Sequence, residues 1–197
     1  SALVVTDPWI AKLGYADRIA TQLQSVGIGT TLFTHVTPDP TLQNVEDGLK
    51  QYRNQGCDLI VSIGGGSAID CGKGIAVKLT NDGELADYIG VGKIRNPGAP
   101  LIAIPTTAGS GSEATQFAVV YRDGEKHSVA HANLRPTAAI VDPALTANLP
   151  PDLSAHSGLD ALCQAIESIW SILATEDSLA PAQAALTLTW QNLEAAV

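Results

Sequence analysis

Three stretches of this 197-residue chain bring together residue types that do chemistry. The first is Asp58-Leu59-Ile60-Val61-Ser62-Ile63-Gly64-Gly65-Gly66-Ser67, an apolar run that ends in three consecutive glycines. Glycines at a strand-to-helix junction let the backbone approach a phosphate closely, and the first-turn N–H groups of the helix offer donors at its positive dipole end. A structural tight turn is the plainer reading of the same triplet. The second stretch, Ile104-Pro105-Thr106-Thr107-Ala108-Gly109-Ser110-Gly111-Ser112-Glu113, packs hydroxyls and glycine N–H groups beyond another apolar run. Ligands bind at that end of strands in open α/β sheets, although serine and threonine also cap ordinary loops. The third, His156 to Glu167, sets Asp160, Gln164 and Glu167 at i, i+4 and i+7 on one helical face. Such a face binds a metal or orders a substrate, or it is a solvated polar stripe. Neither G-x-G-x-x-G nor G-x-x-x-x-G-K-[ST] occurs, so the standard dinucleotide fingerprint and the P-loop are unsupported.

The elements that must carry these stretches alternate as short apolar runs and longer amphipathic ones. Strands are expected at Leu3–Val5, Thr30–Phe33, Leu59–Ile63, Leu101–Ile104 and Ala139–Val141. Helical spacing runs from Ile10 to Val26 and stops at Gly27, and from Leu42 to Gln55 and stops at Gly56, with Thr41 as N-cap of the second. Asn81–Pro100, polar and rich in Gly and Pro, reads as a surface excursion. The expected fold class is α/β: a parallel sheet covered by helices over residues 1–149, then the beginning of an all-helical region over 150–197. The chain plunges into Ala2-Leu3-Val4-Val5 without preamble, and helical composition is still in progress at Val197, so residues are expected to be missing at both ends.

Composition narrows the partners. Eleven Lys and Arg against 20 Asp and Glu give a net charge of −9, the wrong sign for a nucleic acid or an anionic membrane. No apolar run approaches a membrane span, and no basic-then-apolar leader is present. Cys57, Cys71 and Cys163 form neither a C-x-x-C pair nor an even set, which points to a reducing cytoplasm.

Taken together and in order, these motifs resemble the iron-containing, or group III, alcohol dehydrogenase family. The features that carry the likeness are Thr6-Asp7 after the first strand, G-G-G-S-x-x-D at Gly64–Asp70, P-T-T-x-G-[ST] at Pro105–Ser110 with Glu113, D-P-x-L at Asp142–Leu145, and G-x-D-A-x-x-x-A-x-E at Gly158–Glu167. The resemblance implies a Rossmann-like domain followed by a helical metal and substrate domain, the dehydroquinate synthase-like architecture. It implies NAD(H)-dependent, metal-assisted hydride transfer between an alcohol and an aldehyde. Gly65, Gly66 and Ser67 would hold the cofactor pyrophosphate with Asp70 supporting the turn, and Thr106, Thr107, Ser110 and Lys126 would contact the cofactor. Asp7 corresponds to the residue beside the adenosine ribose, where a carboxylate accepts from a free 2′-OH and repels a 2′-phosphate, favouring NAD over NADP. Family members commonly form homodimers.

The metal site is where the sequence departs from the family. The family holds a divalent ion, Fe²⁺ or Zn²⁺, with one Asp and three His, the first His four residues after the Asp. Asp160 matches the aspartate, but Gln164 stands at the first histidine, and a glutamine carbonyl is a harder, weaker ligand. The other two ligand positions belong to a later region; His35, His127, His131 and His156 match none of them. Gln164 and Glu167-Ser168-Ile169-Trp170-Ser171 look like the branch that reduces phosphonoacetaldehyde, whose dianion would suit Lys126, His127, His131 and Arg135. The rival readings are a dinucleotide-binding or interaction module that lacks a complete metal site and catalyses nothing, and a relative of dehydroquinate synthase or glycerol dehydrogenase.

Overall fold

A computed structural model describes residues 1–197. The chain divides into two compact units, Ser1–Thr106 with Ser112–Asp142, and Thr107–Gly111 with Pro143–Val197. In chain order the first unit runs β1 (Ala2–Val5), α1 (Pro8–Lys12), α2 (Tyr15–Ser25), β2 (Thr30–Phe33), α3 (Leu42–Asn54), β3 (Leu59–Gly64), α4 (Gly66–Thr80), β4 (Gly90–Val91), β5 (Leu101–Pro105), β6 (Phe117–Arg122), β7 (Glu125–Ala130) and β8 (Ala138–Ala139).

Five of these strands form one parallel sheet in the order β2-β1-β3-β5-β8. Its centre is apolar without alternation because it is covered on both faces: all four residues of β1 are fully buried. The chain leaves β1 for β2 on one side and returns to β3 on the other. The order therefore reverses between β1 and β3, and in such sheets the crevice beyond the strand ends at that point is where ligands bind.

Several elements differ from the sequence expectation. Ile10–Val26 is two helices, because Gly14 sits at φ +79° between α1 and α2 while the apolar spacing runs on through the break. Asn81–Pro100 is not a mere surface excursion. Leu85, Tyr88 and Ile94 are buried in the main core, and the buried Asn81 accepts from the Arg95 and Asn96 amides and donates to the Val77 and Asn96 carbonyls. The antiparallel β6–β7 hairpin has no counterpart in the sequence reading, since Glu125-Lys126-His127-Ser128 is polar. Cross-strand pairing makes it a strand, from Phe117 opposite Ala130 to Arg122 opposite Glu125, with Asp123 and Gly124 both at positive φ in the turn. The last strand is Ala138–Ala139 rather than Ala139–Val141, and Ile140 and Val141 are exposed. Thr41 caps α3 as expected, its hydroxyl accepting from the Asn44 amide while Asn44 Oδ1 accepts from the Thr41 amide.

The second unit comprises the segment Thr107–Gly111 with α5 (Pro151–Trp170) and α6 (Glu176–Ala196). These helices meet closely at Gly158, where a Cβ would lie 2.2 Å from Leu193 Cδ1. No helix is long and apolar enough to cross a membrane.

Helix α4 is the centre of the first unit, with every residue from Ala68 to Lys78 buried. It lies directly on β3: a Cβ on Gly72 would stand 1.9 Å from Ser62 Oγ, a buried hydroxyl with no hydrogen-bond partner. Gly72→Ala should therefore destabilise by about 1–3 kcal/mol or more, whereas Ser62→Ala, which removes an unsatisfied hydroxyl, should be neutral or stabilising by about 1 kcal/mol. Urea unfolding of the two variants checks the pair, and a strongly destabilised Ser62→Ala would contradict this account of the contact.

Candidate functional site

At the point where the sheet order reverses, the ends of β1 and β3 bring Asp7 and the glycine turn together. Gly64 takes φ +151°, and a Cβ there would lie 2.7 Å from the Ala68 Cβ and 3.3 Å from Asp7 Oδ2. Glycine is required at this position both by its backbone conformation and by the space. Gly65 follows as the N-cap of α4 with no side-chain cap, so the first-turn N–H groups of a 15-residue helix are left uncapped by protein side chains. Asp7 is half-buried; its Oδ1 accepts from the Trp9 amide at 2.8 Å and the Ile10 amide at 2.9 Å, which caps α1. Its other oxygen faces Gly64. The Thr106 amide donates to the Gly64 carbonyl at 3.0 Å, so the start of the hydroxyl-rich stretch is hydrogen-bonded to the glycine turn.

One turn into α4, Asp70 bonds to Ser112 and to β6, and none of these contacts is with the glycine turn. Its Oδ1 accepts from the Ser112 hydroxyl, its Oδ2 accepts from the Val119 amide at 2.9 Å, and Lys73 Nζ lies 3.8 Å away. The Lys73 side chain is fully buried and donates to the Thr115 carbonyl and hydroxyl, each at 3.1 Å, and to the Phe117 carbonyl at 2.6 Å. Burial dominates both partners. It holds the Asp70 carboxyl above the usual carboxylate range against the pull of Ser112, Val119 and Lys73, and it lowers the Lys73 ammonium to about 8 against the pull of Asp70 and Glu113. Lys73 was missed in the sequence, although a lysine three residues after an aspartate inside an otherwise apolar helix is a legible signal of a buried pair. Lys126, on β7 opposite Tyr121, is exposed and close enough to favour the charged form of Asp70.

Thr107 and Ser110 belong to the second unit, as do Asp160 and Gln164. Asp160 and Gln164 are exposed on α5, one turn apart, and Gln164 Nε2 donates to the Gly109 carbonyl at 3.3 Å. The residues present do not assemble a metal centre, because no three His, Cys, Asp or Glu side chains come together. The basic residues singled out in the sequence are also dispersed. Lys126 and His127 are adjacent on a strand and so point to opposite faces, and His127 lies 4.0 Å from Glu125. His131 Nδ1 accepts from the Asn133 amide as a cap, and Arg135 donates to Gln116.

Against known proteins, residues 1–143 match the family model of the iron-containing alcohol dehydrogenases. Alcohol dehydrogenase 4 of Schizosaccharomyces pombe is 42% identical over all of this chain and 47% of its own length. The crystal structure of a 1,3-propanediol oxidoreductase superposes with a TM-score of 0.96 at 38% identity, over 99% of this chain and 52% of that one. A sulfoacetaldehyde reductase from Bifidobacterium kashiwanohense, in complex with NAD+, superposes at 0.92 with 34% identity, over 100% of this chain and 53% of that one. The chain spans about half the length of the curated relatives it matches.

The Asp70–Lys73 pair carries a pH signature of its own. Below about pH 8 folded and unfolded chains both hold the Lys73 proton, and between about 8 and the ordinary 10.5 only the unfolded chain does. Its contribution to stability therefore improves as pH rises through that window. The thermal midpoint of the native chain should rise relative to that of Lys73→Met between pH 7.5 and 9.5; parallel curves would show that Lys73 titrates as an ordinary lysine.

Proposed function

The chain belongs to the iron-containing alcohol dehydrogenase family, and from that membership we propose that it binds NAD(H) for hydride transfer between a small alcohol and its aldehyde. The observation that carries the reading is at the reversal of strand order, where an uncapped helix start follows a turn that only glycine can make, beside a carboxylate. Bound NAD supplies the acceptor for the hydride that leaves the carbinol carbon. The backbone of Gly65, Gly66 and Ser67 holds the pyrophosphate, with Asp70 fixing the helix behind them. Thr106, Thr107, Ser110 and Lys126 contact the cofactor, and Asp7 accepts from the adenosine ribose hydroxyls. Asp160 and Gln164, two oxygen donors one helical turn apart, do not by themselves make a centre for Fe²⁺ or Zn²⁺. A homodimer and a reducing cytoplasm complete the reading, the latter on three free cysteines.

A 2′-phosphate about 4 Å from the Asp7 carboxylate would be repelled by roughly 1–4 kcal/mol. Fluorescence titration should therefore give NADH at least about tenfold tighter binding than NADPH, with Asp7→Asn narrowing the gap. A folded chain that prefers NADPH would overturn the role given to Asp7, and one that binds neither would overturn the pyrophosphate assignment.

The finer substrate reading is phosphonoacetaldehyde, supported by the likeness of Gln164–Ser171 to that branch and by the similarity to a reductase of sulfoacetaldehyde, another anionic aldehyde. NADH oxidation by the protein should be faster with phosphonoacetaldehyde than with propanal or butanal at equal concentration. Equal or faster turnover of the neutral aldehydes would remove this branch. The reading as a binding module, favoured by the incomplete ligand set, predicts NADH binding with no aldehyde-dependent oxidation whether or not Fe²⁺ or Zn²⁺ is added.

A further inference from the structure

Lys73 is the largest fully buried side chain in the protein, and the roles assigned above to cofactor-contacting residues do not use it. Its ammonium meets three acceptors, all from the connector Ser112–Gln116 or the first residue of β6: the Thr115 carbonyl, the Thr115 hydroxyl and the Phe117 carbonyl. Asp70, three residues earlier on the same helix, takes Ser112 and Val119 of the same connector and strand. A buried cation and a buried anion thus divide one segment between them. The anion takes its hydroxyl and amide donors, and the cation takes its carbonyl and hydroxyl acceptors. That helix begins at the glycine turn.

We infer that Lys73 is a positioning residue for the cofactor site: by pinning Thr115 and Phe117 to α4 it holds the connector that starts at Ser112 in one frame with the Gly64–Ser67 turn. The inference rests on the NAD reading above and goes beyond it by naming a residue that touches no substrate. Chemistry explains why a lysine is needed. An apolar side chain of equal length would fill the space but remove the donor to the Thr115 and Phe117 carbonyls and the cation beside Asp70, and a neutral amine has only two N–H groups for three acceptors. The groups acting on the ammonium are few. Asp70 and Glu113 favour its charge, and Lys126 from β7 acts on Asp70. Arg135 shares with Lys73 the lining of a cavity of about 250 Å³. Strands β1, β3 and β5 carry no charged residue, and α3 meets α4 through Val45 and Gly48. Burial sets the proton affinity of Lys73, which is lost near pH 8.

A purely structural lysine and a positioning lysine differ in one readout. Deprotonation relieves the buried charge and raises stability, but it also loosens the connector, so cofactor affinity should fall over the same pH range in which stability improves. The test titrates the 197-residue chain with NADH between pH 7 and 9.5, beside Lys73→Met, with circular dichroism confirming the fold at each pH. The native affinity should drop about tenfold with a midpoint near 8, and a folded Lys73→Met should bind about tenfold more weakly at pH 7 with a flat profile. A flat native profile overturns the inference, as does a folded Lys73→Met with native affinity or with the native pH dependence. If Lys73→Met does not fold, the native profile decides alone. A folded native chain that binds no NADH at any pH refutes the cofactor reading and the inference with it; binding with a flat profile refutes Lys73 alone.

Discussion

Everything in the first unit is arranged around a helix that is buried on all sides. Helix α4 lies on β3 closely enough that Gly72 has no room for a side chain, and its Ala68–Lys78 stretch has no solvent-facing stripe. A helix in that position has little tolerance for polar groups, yet α4 carries Asp70 and Lys73. Their cost in desolvation is offset only because each has a complete set of partners, and nearly all of those partners come from the segment Ser112–Val119. The pair therefore ties α4 to β6, and through β6 to β7, whose polar sequence by itself has little reason to be a strand.

The same helix explains the location of the site. Its N-terminus emerges at the reversal of strand order, beyond the ends of β1 and β3. Gly64 bends the chain with a conformation that other residues avoid, and Gly65 starts the helix without a capping side chain. Side chains close three other helix starts, Asp7 on α1, Thr41 on α3 and Thr175 on α6, while α2 and α5, like α4, begin without one. What sets the start of α4 apart is its place, at the reversal of strand order beside Asp7.

Much of this was legible in advance. The apolar runs that became β1, β2, β3 and β5 are dense in branched residues, and both faces of a parallel sheet accept such residues. Thr41 and the glycine turn carried local signals that no tertiary context could disguise. The misreadings share a cause. The break at Gly14 was hidden because apolar spacing continued across it. Asn81–Pro100 looked solvated because its polar residues outnumber the three that reach the core. The hairpin at Phe117–Ala130 has polar residues on β7 whose strand conformation is imposed by pairing with β6.

By itself the sequence determined the local chemistry: where consecutive glycines break a strand before a helix, that Thr41 caps α3, and which apolar runs become buried strands. Those properties reside in single residues or in spacings along one element. The tertiary structure alone decided that Asp7 and Gly64, separated by 57 positions, face one another across a reversal of strand order. It also decided that Lys73 is wholly buried against carbonyls more than 40 residues away. The physical reason is that burial and partnership belong to neighbours in space. A lysine is a surface residue until a fold surrounds it with acceptors.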